Sequence, residues 1–352
     1  MKAIIWKGKN CVEYTEVPEP KCRPGWVKIK VMAVGVCATE VAMIRGDLSL
    51  AEPPHILGHE ICGDVIELGE GCDGELLHKK VVVETYVGCG ECEFCRTGRK
   101  HLCKAGEIGY PPYNGGNAQY VVVPQGCVRL LPKSISYDEG AIMEAVACPY
   151  GALISSKAGE NATVLVQGAG IAGLAFLQTA LLFGAKTVYC TVRNDIKAAL
   201  VKKYGGQVID LREGSVWEQI SRHTNGVGVD FSIDAIGSAE TVSSAIQCVK
   251  NGGKVILYGL QNEQEAVTLP VNECITRQIT ITGYTGNEKC WDSMIEMVAQ
   301  GKLQLKEMVS EVFPMENYAD ALKLLGSGRS DIIKIVIHPW DLVADGDDGD
   351  RT

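Results

Sequence analysis

Three features that would each point to a different class of protein are missing from this sequence. No uninterrupted apolar run approaches the ~18 residues that span a bilayer, so we expect no membrane-spanning helix and no membrane partner. The N-terminal segment MKAIIWKGKNCVEY has no signal-peptide hydrophobic region, so we expect a cytoplasmic protein. A basic excess is also missing, because 34 Lys and Arg residues stand against 43 Asp and Glu residues and the net charge is −9. Nucleic acids need a positive surface, so this charge excludes them as partners.

Part of the negative charge lies in the C-terminal tail, DLVADGDDGDRT at residues 341–352. Its five Asp and one Arg contribute −4, which leaves −5 on the rest of the chain. We expect a solvated, frayed terminus here, and an interaction segment is the alternative. The whole chain of 352 residues exceeds what one hydrophobic core usually supports, so we expect two domains.

The order of the secondary-structure patterns predicts an α/β protein. Alternating and β-branched runs in the first part, such as WVKIKVMAV at 26–34 and KVVVETYV at 80–87, predict an irregular β-barrel. From about Ser136, strands alternate with apolar-periodic helices, which predicts βαβ units and a doubly wound parallel sheet. The last predicted elements are the helix WDSMIEMVAQGK, the strand VSEVFP, the helix NYADALKLLGSG and the strand DIIKIVIH.

A cluster of four cysteines in GCGECEFCRTGRKHLC is the most specific motif. Short loops let four thiolates converge as a tetrahedron around Zn²⁺, and four protein ligands leave no position for substrate. We therefore predict a structural zinc site, with a disulfide pair or an iron–sulfur cluster as the alternatives. The predicted ligands are Cys89, Cys92, Cys95 and Cys103.

A glycine motif follows the strand pattern TVLVQ and opens a helix. Gly168, Gly170 and Gly173 stand at the spacing of a dinucleotide-binding fingerprint. Side chains at these positions would keep a pyrophosphate away from the amides of the helix N-terminus, whose dipole favours negative charge. We therefore predict a dinucleotide site, and a tight turn without a ligand is the alternative.

The end of the next predicted strand bears on the identity of that dinucleotide. An NAD-binding protein places an acid about 20 residues beyond the glycines, where it holds the ribose hydroxyls. This chain has Val192 there, followed by Arg193. A guanidinium can bind a 2′-phosphate through two hydrogen bonds, so the sequence favours NADP(H) over NAD(H). The alternative is that Arg193 is merely solvated at a helix start, with Asp195 nearby.

A second set of possible metal ligands is spread along the chain. Cys37, His59 and Glu144 could supply one thiolate, one imidazole and one carboxylate, and such a set leaves a fourth position open for catalysis. Each residue taken alone has an ordinary explanation, as a buried core cysteine, an interior histidine or a solvated helix carboxylate.

The sequence resembles the zinc-dependent medium-chain dehydrogenases of the alcohol, sorbitol and threonine dehydrogenase type. It follows the zinc signature of that family, and the four cysteines stand where the family carries a structural zinc. The signature residues are Gly58, His59, Glu60, Gly63, Gly69 and Cys72. The resemblance continues through GGNAQYVVVP, VLVQGAGIAG, GGKVILYGL and DIIKIVIHP, and so covers nearly the whole chain apart from the tail.

The resemblance implies two zinc ions per subunit, the second one catalytic. Its ligands would be Cys37, His59 and Glu144, with Glu60 as an alternate ligand or a partner of the ligands. In the family, zinc polarises the substrate oxygen while a hydride moves to or from the nicotinamide. Thr39 matches the residue that hydrogen-bonds the substrate oxygen, and a helix-capping threonine is the alternative.

Two positions depart from the family pattern. Many relatives continue a proton relay with a histidine three residues after the hydroxyl residue, and this chain has Ala42 there. The proton must then leave by another path, such as water or the ribose. Relatives often present Thr or Ser to the nicotinamide ring four residues after the third ligand, where this chain has Cys148 followed by Pro149. The pocket is therefore altered near the reacting carbon.

The resemblance also implies a domain arrangement. A discontinuous GroES-like catalytic domain would comprise 1–148 and 287–352, and a Rossmann domain would comprise 149–286. The expected cofactor-binding residues are Gly168, Gly170, Ile171, Ala172, Gly173, Val192, Arg193, Ala235 and Gly259. A homodimer or homotetramer is expected.

The sequence thus predicts a zinc-dependent oxidoreductase that uses NADP(H) or NAD(H). Its small-molecule substrate would be a secondary alcohol, a polyol, an amino alcohol or the corresponding ketone. The alternative is a protein that binds zinc and a dinucleotide in a structural or regulatory role without turnover. Intact metal ligands favour the enzyme, because a protein that had lost its catalytic activity would have no reason to retain all of them.

Overall fold

The computed structural model describes residues 1–260, 266–286, 289–327 and 329–340. The interpretation of residues 341–352 as a frayed tail lies outside these ranges. Within them, every helix is too short or too polar to cross a bilayer.

Within the described ranges, fifteen strands form three sheets. The first part of the chain contributes β1 (Lys2–Gly8), β2 (Cys11–Glu16), β3 (Trp26–Gly35), β4 (Glu60–Leu68), β5 (Lys80–Val83), β6 (Tyr120–Pro124) and β7 (Val128–Leu130). The middle contributes β8 (Thr163–Gln167), β9 (Thr187–Val192), β10 (Gln207–Asp210), β11 (Val229–Asp234), β12 (Val249–Leu257) and β13 (Thr280–Gly283). The last two strands are β14 (Val309–Pro314) and β15 (Lys334–His338).

Eleven α-helices lie in the described ranges. They are α1 (Ala38–Arg45), α2 (Glu93–Arg96), α3 (Tyr137–Ala141), α4 (Met143–Ser156), α5 (Ile171–Leu182), α6 (Asp195–Lys203), α7 (Val216–His223), α8 (Ala239–Cys248), α9 (Val271–Thr276), α10 (Trp291–Ala299) and α11 (Tyr318–Gly326). Several begin at side-chain caps that the sequence encodes locally. Ser136 and Glu139 form a capping box at α3, which is where the sequence pattern changes from strands to alternating helices and strands.

The largest sheet of the first part is organised around β3. This strand pairs with β4 and β6, and it also accepts β15 as an antiparallel neighbour. Because β14 pairs with β15 in parallel, the end of the chain belongs to the same sheet as the beginning. At the end of β3, Gly35 stands opposite Glu60 in the register with β4.

The middle of the chain forms a six-stranded sheet in the order β10-β9-β8-β11-β12-β13, and all its neighbours are parallel. This confirms the predicted doubly wound parallel sheet. The chain changes direction across the sheet between β8 and β11, and such a switch point creates a crevice at the carboxyl ends of the strands. The glycine motif follows β8 and lies at that crevice.

Two large apolar clusters correspond to these two sheets. One joins α4, α5 and α10 to the six-stranded sheet, and the other lies around β3, β4 and β5. The predicted boundary between residues 148 and 149 falls inside α4, so this helix would belong to both domains. The division at 148 and 287 stays a prediction.

Candidate metal centres and dinucleotide site

The four cysteines of the short-spaced motif come together in one lobe. Their sulfur atoms all lie within 4.8 Å of one another: Cys89, Cys92, Cys95 and Cys103. All four are free thiols, so the structure contains no disulfide between them. Four sulfurs at this separation suit a tetrahedral zinc ion.

Backbone amides donate hydrogen bonds to three of these four sulfurs. Cys103 Sγ accepts hydrogen bonds from the amides of Cys89 and Ala105, each at 3.4 Å. These bonds lower the pKa of the Cys103 thiol to about 6. Cys89 Sγ accepts from the amide of Cys92 at 3.3 Å, and Cys92 Sγ caps α2 by accepting from the amide of Cys95. Amide donors thus face three of the four sulfurs, whereas burial raises the pKa of the Cys95 thiol to about 12.

A buried carboxylate joins this lobe to the rest of the molecule. Glu84 lies just after β5 and is fully buried. Its carboxylate forms an ion pair at 2.8 Å with Lys100, which lies between the third and fourth cysteines in the sequence. Arg129 in β7 pairs with the same carboxylate. Two cations thus compensate Glu84, and one of them ties the cysteine lobe to the sheet.

The second candidate metal centre brings together Cys37, His59 and Glu60, whose ligand atoms lie within 4.8 Å of one another. Cys37 follows β3 and is the N-cap residue of α1. His59 and Glu60 stand at the start of β4, beside the end of β3. Gly35 makes the room, because a Cβ there would lie 2.1 Å from Glu60 Oε2.

Glu60 is held by a lysine from the other end of the chain. Lys334 in β15 is 3% exposed and donates from Nζ to Glu60 Oε1. Within the described residues, Glu60 Oε2 is buried without a hydrogen-bond partner. An unpartnered buried carboxylate oxygen beside a thiol and an imidazole fits a divalent metal.

His59 is oriented by Glu40, a residue that the sequence analysis did not single out. Glu40 Oε1 lies 3.0 Å from His59 Nδ1 and accepts the backbone N–H of His59 at 3.3 Å. This approach is an ion-pair contact, because Nδ1 makes no hydrogen bond within the described residues, and a carboxylate beside Nδ1 favours Nε2 as the ring nitrogen that binds a metal. On the other side, the ring of Tyr110 stacks on His59 with the centroids 5.5 Å apart.

Glu144 lies near this centre but outside the set of mutually close ligand atoms. It is buried in α4, so it is not the solvated helix carboxylate of the ordinary explanation. Burial raises the pKa of its carboxyl to about 7, and the neighbouring His59 opposes that shift. Cys148 Sγ donates to Glu144 Oε1 at 3.7 Å. The structure groups Glu60 rather than Glu144 with Cys37 and His59, and Glu144 as a ligand stays a prediction.

Glu107 is a further acidic residue beside this centre that the sequence analysis missed. It is half-buried and accepts a hydrogen bond from Thr85 Oγ1 at 3.2 Å. Burial raises the pKa of its carboxyl, and the neighbouring His59 partly opposes that shift. Glu107 also helps to raise the pKa of Cys148, where burial is the main cause and Glu144 the next. The site therefore carries more carboxylates than its metal ligands require.

Thr39 lies in the first turn of α1, two residues after Cys37. The cap residue of this helix is Cys37, whose side chain makes no capping hydrogen bond. The explanation of Thr39 as the helix cap is therefore wrong. Ala42, where the expected relay histidine would stand, is also on α1.

The glycine motif has the geometry that a pyrophosphate needs. Gly168 has a φ of +102°, and a Cβ on Gly173 would lie 1.7 Å from the carbonyl oxygen of Gly168. A Cβ on Gly170 would enter open space, and Gly170 is the N-cap of α5, which begins with Ile171 and Ala172. The amides at this helix start are thus open to an anion.

Two more predicted cofactor residues lie at the same edge of the sheet. Ala235 directly follows β11, and its amide donates to the carbonyl of Gln167 in β8 at 3.1 Å. A Cβ on Gly259 would lie 2.3 Å from the amide nitrogen of Gly237, so the loops after β11 and β12 touch there. The structure therefore brings the predicted cofactor-binding residues to one edge of the sheet.

Two arginines lie after the neighbouring strands β9 and β10, and they differ in their ion pairs. Val192 is buried at the strand end and Arg193 is exposed, and within the described residues Arg193 makes no ion pair. Arg212, in contrast, binds Asp195 and Asp210, each at 2.6 Å. Asp195 is therefore occupied by another arginine, which leaves the Arg193 guanidinium available for a phosphate.

Comparison with known families identifies two matching regions. Residues 23–133 match the alcohol dehydrogenase GroES-like domain, and residues 172–300 match the zinc-binding dehydrogenase domain. Among characterised proteins, sorbitol dehydrogenase of Bacillus subtilis is 30% identical over 96% of this chain and 97% of its own length. L-threonine 3-dehydrogenase of Pyrococcus horikoshii is 31% identical over 90% of this chain and 93% of its own length.

Solved structures agree over the same extent. A zinc-binding dehydrogenase of Sinorhizobium meliloti bound to NADP superimposes with a TM-score of 0.89 and 28% identity, over 96% of this chain and 99% of that one. An alcohol dehydrogenase of Thermus sp. ATN1 gives a TM-score of 0.88 and 26% identity with the same coverage. The predicted combination of a GroES-like part and a Rossmann part is confirmed.

Proposed function

The chain belongs to the zinc-dependent medium-chain dehydrogenase family, and from this premise we propose that it transfers a hydride between NADP(H) and a secondary alcohol, polyol or amino alcohol, or the corresponding ketone. The observation that carries the proposal is the grouping of Cys37, His59 and Glu60 within 4.8 Å. Three protein ligands leave room for a substrate oxygen, whereas the four-cysteine site is closed. The named relatives support an alcohol or polyol oxidoreductase in general.

Each bound group would have a defined task. Zinc would supply a Lewis acid for the oxygen of an alcohol or ketone, and the nicotinamide would accept or donate the hydride. In our proposal Cys37 and His59 hold the catalytic metal, and Glu60 or Glu144 completes its protein ligands. Lys334 keeps Glu60 in place through their buried ion pair.

Thr39 is proposed to hold the proton that leaves the substrate hydroxyl. Its place two residues after Cys37 and its freedom from a capping role support this assignment. Ala42 cannot carry the proton onward, so the next acceptor is a water molecule or a cofactor hydroxyl. Cys148, hydrogen-bonded to Glu144, is proposed to border the nicotinamide.

NADP(H) is the proposed cofactor. The exposed Arg193 supports this choice because its guanidinium makes no ion pair within the described residues, whereas Asp195 is bound by Arg212. The absence of an acid at Val192 removes the group that would repel a 2′-phosphate. A relative bound to NADP is consistent with the same choice.

The carboxylates around the site bear on the substrate class. Glu107 and Glu144 place two more carboxyl groups next to the proposed metal ligands, and burial raises the pKa of both. Such groups offer oxygen acceptors to the hydroxyl or ammonium groups of a substrate, and they offer no cation to a phosphate. We therefore propose a polyol or an amino alcohol rather than a phosphorylated sugar alcohol.

The domain division is proposed as the sequence predicted it, with 1–148 and 287–352 forming the catalytic part and 149–286 the dinucleotide-binding part. Membership of the sheets supports this division, because β14 and β15 join the sheet of β3 whereas β8 to β13 form the parallel sheet.

The experiment combines zinc analysis with a hydride-transfer assay. Wild type, Cys37→Ser and the exposed control Cys11→Ser would be assayed for zinc per subunit and for nicotinamide reduction with polyols, amino alcohols and phosphorylated polyols. We expect two zinc ions in wild type and in the control. Cys37→Ser should keep one zinc and the fold but lose turnover, because only the open site contacts substrate.

At most one zinc ion in carefully prepared wild type would overturn the metal assignment. Zinc and dinucleotide binding without turnover of any substrate in the panel would support the non-catalytic alternative instead. A preference for phosphorylated polyols would contradict the proposed substrate class while the hydride-transfer reaction stands.

A further inference from the structure

A line of buried polar side chains runs from the candidate metal ligand His59 to the C-terminal part of the chain. Glu40 contacts the His59 ring through Oε1, and its Oε2 lies 3.5 Å from Asn117 Nδ2. The same Nδ2 atom lies 3.3 Å from the hydroxyl of Tyr318, the first residue of α11. The side chains thus form a continuous polar row of four residues.

This row is closed off from solvent. Glu40 is 0% exposed, and Asn117 and Tyr318 are each 1% exposed. A buried carboxylate is costly unless donors satisfy its oxygens, so each contact to Glu40 matters more than it would at the surface. Apolar side chains surround the far end, where Tyr318 packs near Trp6 and Leu57.

The backbone fixes Asn117 between two segments. Its amide donates to the carbonyl of Leu57 at 3.0 Å, and its carbonyl accepts from the amide of Ile4 at 2.8 Å. Gly58, the residue before His59, has a φ of +102°, and a Cβ there would lie 2.6 Å from the Asn117 amide nitrogen. Asn117 therefore sits directly behind the turn that presents His59.

The two oxygens of Glu40 have different tasks. Oε1 contacts the ring of His59 and accepts a hydrogen bond from its backbone amide. Within the described residues, Oε2 accepts its hydrogen bond from Asn117 Nδ2. If that donor were lost, the carboxylate would be free to rotate toward another donor, and the ring of His59 would lose its fixed orientation.

We propose that Asn117 and Tyr318 are positioning residues for the candidate catalytic metal, which act through Glu40 on His59. Asn117 fixes the carboxylate of Glu40, and Tyr318 fixes the amide of Asn117. The inference rests on the metal centre of the proposed function, but it concerns metal binding and not the identity of the substrate.

The test measures metal affinity, so it needs no knowledge of the substrate. Zinc affinity of Glu40→Gln, Asn117→Leu and Tyr318→Phe would be measured by competition with a chromophoric chelator, and the open site would be assigned by comparison with Cys37→Ser. Tyr204→Phe is the matched control, because it removes a buried hydroxyl that has no partner within the described residues. Unfolding midpoints would be recorded with and without zinc at the open site.

Removing a group that orients a metal ligand typically costs about 10- to 100-fold in metal affinity. We expect such a loss for Glu40→Gln, about tenfold for Asn117→Leu and about threefold for Tyr318→Phe, with zinc at the four-cysteine site unchanged. The control should bind like wild type. The double variant of Glu40→Gln and Asn117→Leu should lose little more than Glu40→Gln alone, because both act through the same carboxylate.

Three results would overturn the inference. One is normal zinc affinity in both Asn117→Leu and Tyr318→Phe alongside a weakened Glu40→Gln. Another is full additivity in the double variant. The third is a decrease in the unfolding midpoint of Asn117→Leu and Tyr318→Phe that is the same with and without zinc at the open site, because such a decrease would indicate a purely structural role. If wild type itself holds no metal at the open site, the proposed function fails first, and this outcome is visible in the same titration. The milder Tyr318→Phe variant keeps the test valid if Asn117→Leu does not fold.

Discussion

Thr39 carries the most specific chemical task proposed for a single side chain in this site. We expect Thr39→Val to keep both zinc ions but to lower kcat by roughly 100-fold, because a methyl group can neither accept nor donate the substrate proton. Thr39→Ser keeps the hydroxyl and should be mild. Steady-state kinetics together with zinc analysis would check this. A Val variant that turns over at the wild-type rate would leave Thr39 without a catalytic role.

Arg193 and Val192 decide the cofactor in our proposal. A hydrogen bond to a charged group contributes ~1.5–3 kcal/mol, and ~1.4 kcal/mol corresponds to tenfold in affinity. We therefore expect Arg193→Ala to raise the KM for NADP about 10- to 100-fold and to leave the KM for NAD nearly unchanged. Val192→Asp should shift the preference toward NAD, because it repels the phosphate and offers a partner to the ribose.

Both cofactors would be titrated at fixed salt, with the exposed Arg222→Ala as the control. A wild-type preference for NAD, or an Arg193→Ala variant with an unchanged KM for NADP, would refute the cofactor proposal. The zinc dehydrogenase assignment would stand in either case.

The sequence predicted those site residues that short motifs contain. The four cysteines stand at short spacings and Cys37 and His59 match the family pattern, and the structure brings the cysteines into one group and Cys37 with His59 into another. Glu40 could have been found as well, since it lies three residues after Cys37 on the same helix. Lys334 and Asn117 could not, because their contacts to Glu60 and Glu40 join residues 274 and 77 positions apart. Only the folded sheet brings such residues together.

At the scale of single elements, the cysteine lobe is the part that depends most on its metal. Its only α-helix, α2, has four residues and cannot be stable by itself. We expect Cys95→Ser to lose one zinc ion and to lower Tm by roughly 5 °C or more, because the loop loses its metal clip. Trypsin should then cleave faster after the exposed Arg96 and Arg99.

Cys11→Ser again serves as the control, since Cys11 is exposed outside the lobe. Unchanged Tm and unchanged trypsin cleavage in Cys95→Ser would show that the Glu84 ion pairs hold the lobe without the metal.

Element boundaries were predicted less well than element types. The pattern KVVVETYV predicted a strand over 80–87, but β5 ends at Val83, where the buried Glu84 takes up its ion pairs. Helix α8 ends at Cys248, and the following residues VKNGG begin β12. Glycines at 252 and 253 disfavour a helix, and the pairing of Val249 with Val229 in β11 favours a strand. Long-range pairing of this kind is not visible in a local pattern.

For the whole molecule, one edge of the six-stranded sheet, which has no partner strand within the described residues, supports the expected homo-oligomer. β13 is the last strand in the sheet order, and the neighbouring α9 exposes Val271 and Ile275 at 53% and 66%. An open strand edge beside apolar side chains is a pairing surface. We propose that a second copy of the chain covers it.

We expect Ile275→Asp to shift the protein toward the monomer, because a buried charge opposes association. Ile196→Asp is the matched control, since Ile196 is 55% exposed on another helix. Sedimentation velocity over a range of concentrations would measure both. An unchanged oligomer in Ile275→Asp, or a monomeric wild type, would contradict the assignment of this surface.

Because Lys334, far along the chain, contacts Glu60 at the open site, the two metal sites can form at different times during translation. All four thiols of the closed site are translated within 15 consecutive residues, so that site can take up its ion while the rest of the chain is still being made. The open site depends on Lys334, in the last strand, for the placement of Glu60. Its ligands therefore acquire their final arrangement only after Lys334 has been added to the growing chain. The protein would load its structural ion first, and the reactive centre would be assembled later, once the segment that contains β15 has been made.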